Sequence, residues 1–208
     1  MATSHDDWTA LLLPVLDDPG REAEIVRRHG AVRSVLVCDF TGMTTRSARD
    51  GIVYALALCA AARRALEPVL AGHRGELVTS EADTIFVLFE APADAVHAAL
   101  DAQRALAAFN QGRDGHVGDG SRRDPIHASI GLGHGEMLLL PGRDVFGAEV
   151  NHAFVLGEDV ARPRETLATE AFLAALGTPP DGVGVFRAPE ERAAEAGFGF
   201  HVLADYRG

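Results

Sequence analysis

Apolar and polar positions alternate between two periods along this chain, and the switches mark its elements. Residues 32–38, ending in the continuous apolar run Val35-Leu36-Val37-Cys38, have the pattern of a buried strand. Over 46–70 the apolar residues Ile52, Leu56, Cys59 and Leu66 recur at helical spacing, which predicts one long helix. His73-Arg74-Gly75 closes it, with Gly75 free to take a left-handed turn. Residues 77–89 read as a hairpin with Asp83 at its tip. Residues 92–109 read as a second helix, opened by Pro92 and turning Val96, Leu100 and Leu106 inward. The stretch 110–124 is polar and rich in glycine and arginine, so it predicts a flexible loop.

Further along, 126–140 predicts a pair of strands broken at Gly133-His134-Gly135, and 147–161 a third helix. Residues 167–176 give a short strand and then a helix, and 183–186 and 198–203 give closing strands. Gly131, Gly133 and Gly135 alternate, which favours close helix packing or a bulge over phosphate binding. The order strand, helix, hairpin, helix, hairpin predicts an α+β fold with a ferredoxin-like βαββαβ core and extra C-terminal strands. Residues 1–30, with a short apolar stretch interrupted at Pro14 and a charged helical segment over 21–29, stand apart as a helical lead-in to a domain spanning 31–208.

Composition narrows the function. The chain has 208 residues, 47% of them hydrophobic, enough for one well-formed core. Its formal charge of −11 opposes a nucleic-acid backbone, so a general DNA or RNA binder is not expected. No apolar run reaches membrane-spanning length and the start has no signal-peptide pattern, so the expected location is cytoplasmic. Cys38 and Cys59 lie in apolar stretches and read as buried thiols. No G-x-G-x-x-G follows the first strand and no Walker A loop occurs, so any nucleotide site belongs to another class.

Two carboxylates carry the chemistry. Asp39 closes the first strand and Asp83 sits at the hairpin tip. Strand-end carboxylates are poor core material and good ligands for hard cations, and two that converge can hold a metal pair over a phosphate. His127 and His134 read as structural histidines rather than a metal pair.

Four segments then fall in a telling order: Asp39-Phe40-Thr41-Gly42-Met43-Thr44, the hairpin from Gly75 to Phe89, Ser129-Ile130-Gly131-Leu132-Gly133-His134-Gly135, and Asp144-Val145-Phe146-Gly147-Ala148-Glu149-Val150-Asn151-His152-Ala153. Together they resemble the class III adenylate/guanylate cyclase catalytic domain. The resemblance implies a homodimer with active sites across its interface, or a heterodimer with another cyclase-like chain. It implies Asp39 and Asp83 as ligands of two Mg²⁺ or Mn²⁺ ions, with the Phe40 carbonyl completing one coordination shell. Backbone N–H groups from Thr41, Gly42, Met43 and Thr44 to Thr45 would meet the triphosphate. Asp144 and Thr79 would face the base, and Asn151 would orient the ribose. The implied reaction converts a nucleoside triphosphate, ATP first among them, to a cyclic 3′,5′-monophosphate and pyrophosphate.

Three departures from the family pattern stand out. Val155 occupies the place of the transition-state arginine, four residues after Asn151. Thr79 occupies that of the base-selecting lysine. Ala82 replaces the glycine before the second aspartate, where a positive φ costs an alanine about 1 kcal/mol. Glu81 adds a carboxylate beside Asp83. These departures leave slow turnover as one expectation. The alternative is a pseudo-cyclase that binds nucleotide or protein without turnover.

Overall fold

A computed structural model describes residues 6–113, 115–116, 122–140 and 144–206. The lead-in forms α1 (Asp6–Leu12) and α2 (Glu22–His29), with a 3₁₀ turn at Leu13–Val15 where Pro14 interrupts the apolar stretch. The chain then enters β1 (Gly30–Phe40), α3 (Met43–Asp50) and α4 (Ile52–Gly72). A hairpin, β2 (Glu76–Glu81) and β3 (Thr84–Phe89), leads to α5 (Pro92–Phe109). Two short strands, β4 (Gly115–His116) and β5 (Arg122–Arg123), precede β6 (Ala128–Leu140), β7 (Asp144–Phe146) and α6 (Ala148–Phe154). A π-helical segment over Val155–Val160 continues α6. The chain ends with β8 (Thr166–Thr169), α7 (Glu170–Leu176), β9 (Val183–Arg187), α8 (Glu190–Ala196) and β10 (Phe200–Asp205).

The main sheet has the order β2-β3-β1-β6-β8-β10-β9, with β7 paired to the far end of β6. Its first four places are those of a ferredoxin-like βαββαβ unit, and the last three strands extend it on the β6 side. β1 runs antiparallel to both β3 and β6, while β6 and β8 are parallel.

The period-2 rule divides β1 between two layers. Leu36, Cys38 and Phe40 turn to α4 and α5, where Leu66, Ala99, Leu106 and Phe89 complete a closed core. Val35 and Val37 turn to the opposite face and pack with Phe86, Leu88, Val150 and Ala153 beneath α6. Phe40 is 1% exposed, and burying such a ring contributes about 2–3 kcal/mol. Its burial holds the C-terminal end of β1 against the helices, next to the candidate site residues. Both cysteines are buried and free, and burial pushes the Cys38 thiol up to about 12.

Several elements differ from the pattern-based expectation. The single helix over 46–70 is two helices, because Gly51 takes a left-handed φ of 93° and breaks the hydrogen-bond ladder. Ile52 and Leu56 are consequently exposed, and α4 packs through Ala55, Leu58, Cys59, Ala62, Leu66 and Leu70. The left-handed residue that closes α4 is Arg74 (φ 63°), not Gly75. Gly75 is small for another reason: a Cβ there would lie 2.7 Å from the Leu70 carbonyl and from Val87. Residues 128–140 form one continuous strand rather than a pair, and the alternating glycines admit α6 instead of making a turn. A Cβ on Gly131 would lie 2.1 Å from the Ala153 carbonyl, and one on Gly133 2.4 Å from that of Glu149.

The described end of the arginine-containing loop is tied down by side-chain hydrogen bonds. Arg122 donates to the Asp50 carboxylate at 2.6 Å, and Asp124 accepts from the Tyr54 hydroxyl at 2.5 Å. Residues 114 and 117–121 of that loop lie outside the described residues. No described helix is long and apolar enough to cross a membrane.

Candidate active site

Alternation along β1 places Asp39 on the face of Val35 and Val37, beneath α6 and its π-helical continuation. Asp83 reaches the same spot by a different route. The hairpin turns at Ala82, whose φ is 46°, and the Ala82 carbonyl accepts from Arg63 Nη2 at 2.9 Å. The backbone N–H of Phe40 then donates to the Asp83 carbonyl at 2.9 Å. That bond ties the hairpin tip to the end of β1 and sets the two aspartates side by side.

Their electrostatics follow from the packing. The Asp39 carboxyl is pushed up to about 7, first by burial and then by the negative fields of Asp83, Glu158 and Asp159. Glu158 sits on the π-helical segment and accepts from Thr84 Oγ1 at 3.0 Å, Thr84 being the β3 residue paired with Asp39. A π turn holds an extra residue per turn, and this one lies where Gly157 presses on the β1 backbone: a Cβ there would lie 2.9 Å from the Val37 carbonyl. Glu158 and Asp159 are thereby carried towards Asp39. Glu81, the carboxylate next to Asp83 in sequence, is exposed. No sequence signal marks Glu158, because a helical wheel drawn at 3.6 residues per turn misplaces residues after a π turn.

Among the described residues no three His, Cys, Asp or Glu side chains form a ready-made metal cage. The donor set nevertheless fits hard divalent cations. It has two adjacent carboxylates, one held partly protonated by burial and repulsion that a cation would relieve, and a neighbouring main-chain carbonyl at Phe40.

The chain leaves β1 through Thr41 and Gly42. Thr41 N–H donates to the His127 carbonyl at 2.9 Å, which fixes the turn, and Gly42 takes a left-handed φ of 76°. α3 starts at Met43 with no side chain capping its N-terminus. The first N–H groups of a helix lack intrahelical partners, so those of Met43, Thr44 and Thr45 offer donors and a positive dipole end to an anion. Met43 is buried, whereas Thr44 is exposed.

The remaining predicted residues lie elsewhere. Thr79 stands on β2 opposite Phe86, just past a register shift between Leu77 and Thr79. Asp144 opens β7 opposite Leu140, eleven residues along β6 from Ser129, the partner of Asp39. It lines a small pocket of about 160 Å³ with Glu76, Val78 and Leu88, so the β2 shift and Asp144 share one recess. That recess includes neither Asp39 nor Asp83. Asn151 is exposed on α6, and Val155 follows one turn later at the start of the π-helical segment. Glu76 was not singled out from the sequence, where it reads as an ordinary exposed strand residue. One chain therefore brings together Asp39, Asp83 and the Thr41–Thr45 turn, and separately Asp144 with the β2 edge.

This sheet order has clear counterparts among solved structures. The chain has the fold of the class III nucleotidyl cyclase domain. The crystal structure of the guanylyl cyclase Cya2 superposes with a TM-score of 0.61 at 23% identity, covering 86% of this chain and 93% of that one. The adenylyl cyclase CyaB from P. aeruginosa gives a TM-score of 0.67 at 16% identity, over 86% of this chain and 97% of its own. The guanylate cyclase domain of RhGC from Catenaria anguillulae, solved in complex with GTP, gives 0.63 at 13% identity, over 86% and 98%. No family model and no curated protein matches the chain. The shared cyclase fold thus coexists with strong sequence divergence.

Proposed function

We propose that this protein is a nucleotidyl cyclase that converts a nucleoside triphosphate, ATP first among them, to a cyclic 3′,5′-monophosphate and pyrophosphate. The observation that carries the reading is the bond from Phe40 N–H to the Asp83 carbonyl, which joins two carboxylates directly ahead of an uncapped helix start. Asp39, Asp83 and the Phe40 carbonyl would hold two Mg²⁺ or Mn²⁺ ions. Such ions lower the pKa of the ribose 3′ hydroxyl and neutralise charge on the phosphate oxygens.

The chain's own residues do the rest. The N–H groups of Met43, Thr44 and Thr45 receive the triphosphate and hold its α-phosphorus in line. The 3′ hydroxyl gives up its proton to solvent and its oxygen bonds to that phosphorus as the bond to the departing pyrophosphate breaks, and the fixed N–H dipoles stabilise the charge that grows there. The Asp144 carboxylate accepts from an amino group of the base, and the Thr79 hydroxyl adds one hydrogen bond. Asn151 orients the ribose. These three come from a second copy of the chain, which the separate placement of Asp144 in one chain supports. Val155 supplies no charge, so turnover is slow.

Isothermal titration with Mn²⁺ and a non-hydrolysable nucleoside triphosphate analogue tests the site. Saturable, metal-dependent binding that is lost in Asp39→Ala supports the reading. Binding unchanged in that variant contradicts it.

A further inference from the structure

A large recess lies outside the candidate active site. It lies on the other face of the sheet, between α5, β8 and β10, with a volume of about 740 Å³, the size of a cavity that takes a small organic molecule. Leu100, Leu106, Val202 and Leu203 give it an apolar floor. Its charged wall residues are mostly paired. Arg104 bridges Asp101 and Asp205, and Glu165 is held by Arg192 at 2.6 Å.

Arg164 is the exception. It makes no ion pair with any described residue. Its guanidinium lies across the His127 ring, with Nε 3.3 Å from Nδ1 and Nη2 3.2 Å from Nε2. Asn110 Nδ2 also approaches His127 Nδ1 at 3.3 Å, so that nitrogen receives donors on two sides and the imidazole is neutral. Burial and the positive fields of Arg164 and Arg46 hold its pKa below the ordinary histidine value, in agreement. Arg164 also adopts a left-handed φ of 71°, which glycine would enter freely and a long side chain enters only at a cost. The conformation aims a permanently charged fork at the rim of an apolar cavity, where the His127 ring it lies against is uncharged. A planar carboxylate on an apolar body matches both halves of that wall.

His127 connects the cavity to the candidate active site. It lines the cavity, while its carbonyl accepts from Thr41 N–H at 2.9 Å and lies 3.3 Å from Thr41 Oγ1. We infer that the cavity between α5, β8 and β10 is a regulatory site for a small organic carboxylate, bound by Arg164 over the apolar floor and felt at the Thr41 turn through His127. The regulatory meaning rests on the reading of that turn as the triphosphate cradle. The binding itself does not.

The test uses two fluorescent probes that differ only in charge, 1-pyrenebutyrate and 1-pyrenebutanol, with the full chain. The butyrate is expected to bind saturably and about tenfold or more tighter than the alcohol, the difference one charge-assisted hydrogen-bonded pair makes. Arg164→Gln should remove that preference and leave the alcohol's affinity unchanged. Ala107→Trp, at an exposed wall position, should fill the cavity and weaken both probes. The Thr41 amide resonance should move on butyrate saturation in the wild type and not in Ala107→Trp.

Absence of saturable binding overturns the proposal. So does equal affinity for the two probes, binding indifferent to Ala107→Trp, or a Thr41 amide that stays still when the site is full. No readout uses a nucleotide, so failure of the cyclase assay and failure of this proposal are distinguishable.

Discussion

Asp39 sits in a field of three neighbouring carboxylates, and its carboxyl rises from the ordinary 3.8 to about 7. In the metal-free fold its ionised form is disfavoured, first by burial and then by Asp83. The sign follows from linkage: a carboxyl raised on folding costs stability as pH climbs from its unfolded value through its folded value. Asp39→Asn should therefore raise the melting temperature at pH 8 in the presence of chelator, by roughly 2–4 °C after allowance for solvent screening. The gap should close near pH 4, where wild-type Asp39 is protonated. Scanning calorimetry at the two pH values checks this, and an equal gap at both would contradict the account. At Ala82 the φ of 46° predicts that Ala82→Gly stabilises the protein by up to about 1 kcal/mol in urea denaturation. Both aspartates were legible in the sequence, since one closes an apolar strand and the other tips a hairpin. Glu158 and Asp159 were not, because π-helical geometry carries them to Asp39 and helical periodicity does not encode it.

At the scale of elements, the contact between β6 and α6 decides whether the site is assembled. Gly131 has the Ala153 carbonyl and the Gly157 N–H within 2.6 Å of where a Cβ would stand, and both are backbone that cannot swing aside. Gly131→Ala should destabilise the fold by about 1–3 kcal/mol. By displacing the π-helical segment it should also weaken Mn²⁺ binding at Asp39. Urea denaturation and metal titration of the same variant test both, and an alanine variant as stable as wild type would argue against close helix approach. The sequence showed that these glycines alternate, and that spacing pointed to helix packing. It did not show that β6 runs unbroken, because Gly133-His134-Gly135 carries the same local signal as a turn. The break at Gly51 was hidden for the converse reason. A lone glycine within an apolar helical pattern is compatible with a continuous helix, and only its φ of 93° decides.

The whole molecule has the cyclase-domain sheet, and that architecture was legible from element order, since strand, helix, hairpin, helix, strand admits few un-knotted arrangements. Less legible was how the site residues divide. Asp39 and Asp83 gather at one place, while Asp144 opens onto the β2 edge eleven residues along β6 from the partner of Asp39. If two copies share each site, Asp39→Ala and Asn151→Ala chains should each be inactive. An equal mixture should regain on the order of a quarter of wild-type activity, because half the dimers are mixed and each has one intact site. No recovery on mixing would contradict the shared site. Val155→Arg, which places charge one turn after Asn151, should raise turnover on the order of 10³-fold, within the range for arginines in phosphoryl transfer. Steady-state rates measured with Mn²⁺ check that figure.

The most direct test of the central claim is mass-spectrometric detection of cyclic nucleotides. Purified protein would be incubated with Mn²⁺ and each of the four ribonucleoside triphosphates, with Asp39→Ala as the control. The account predicts a cyclic 3′,5′-monophosphate and pyrophosphate in equal amounts from at least one triphosphate, absent in the control. No cyclic product from any of the four, with the protein folded and nucleotide bound, would contradict it and leave a cyclase fold that binds nucleotide without turning it over.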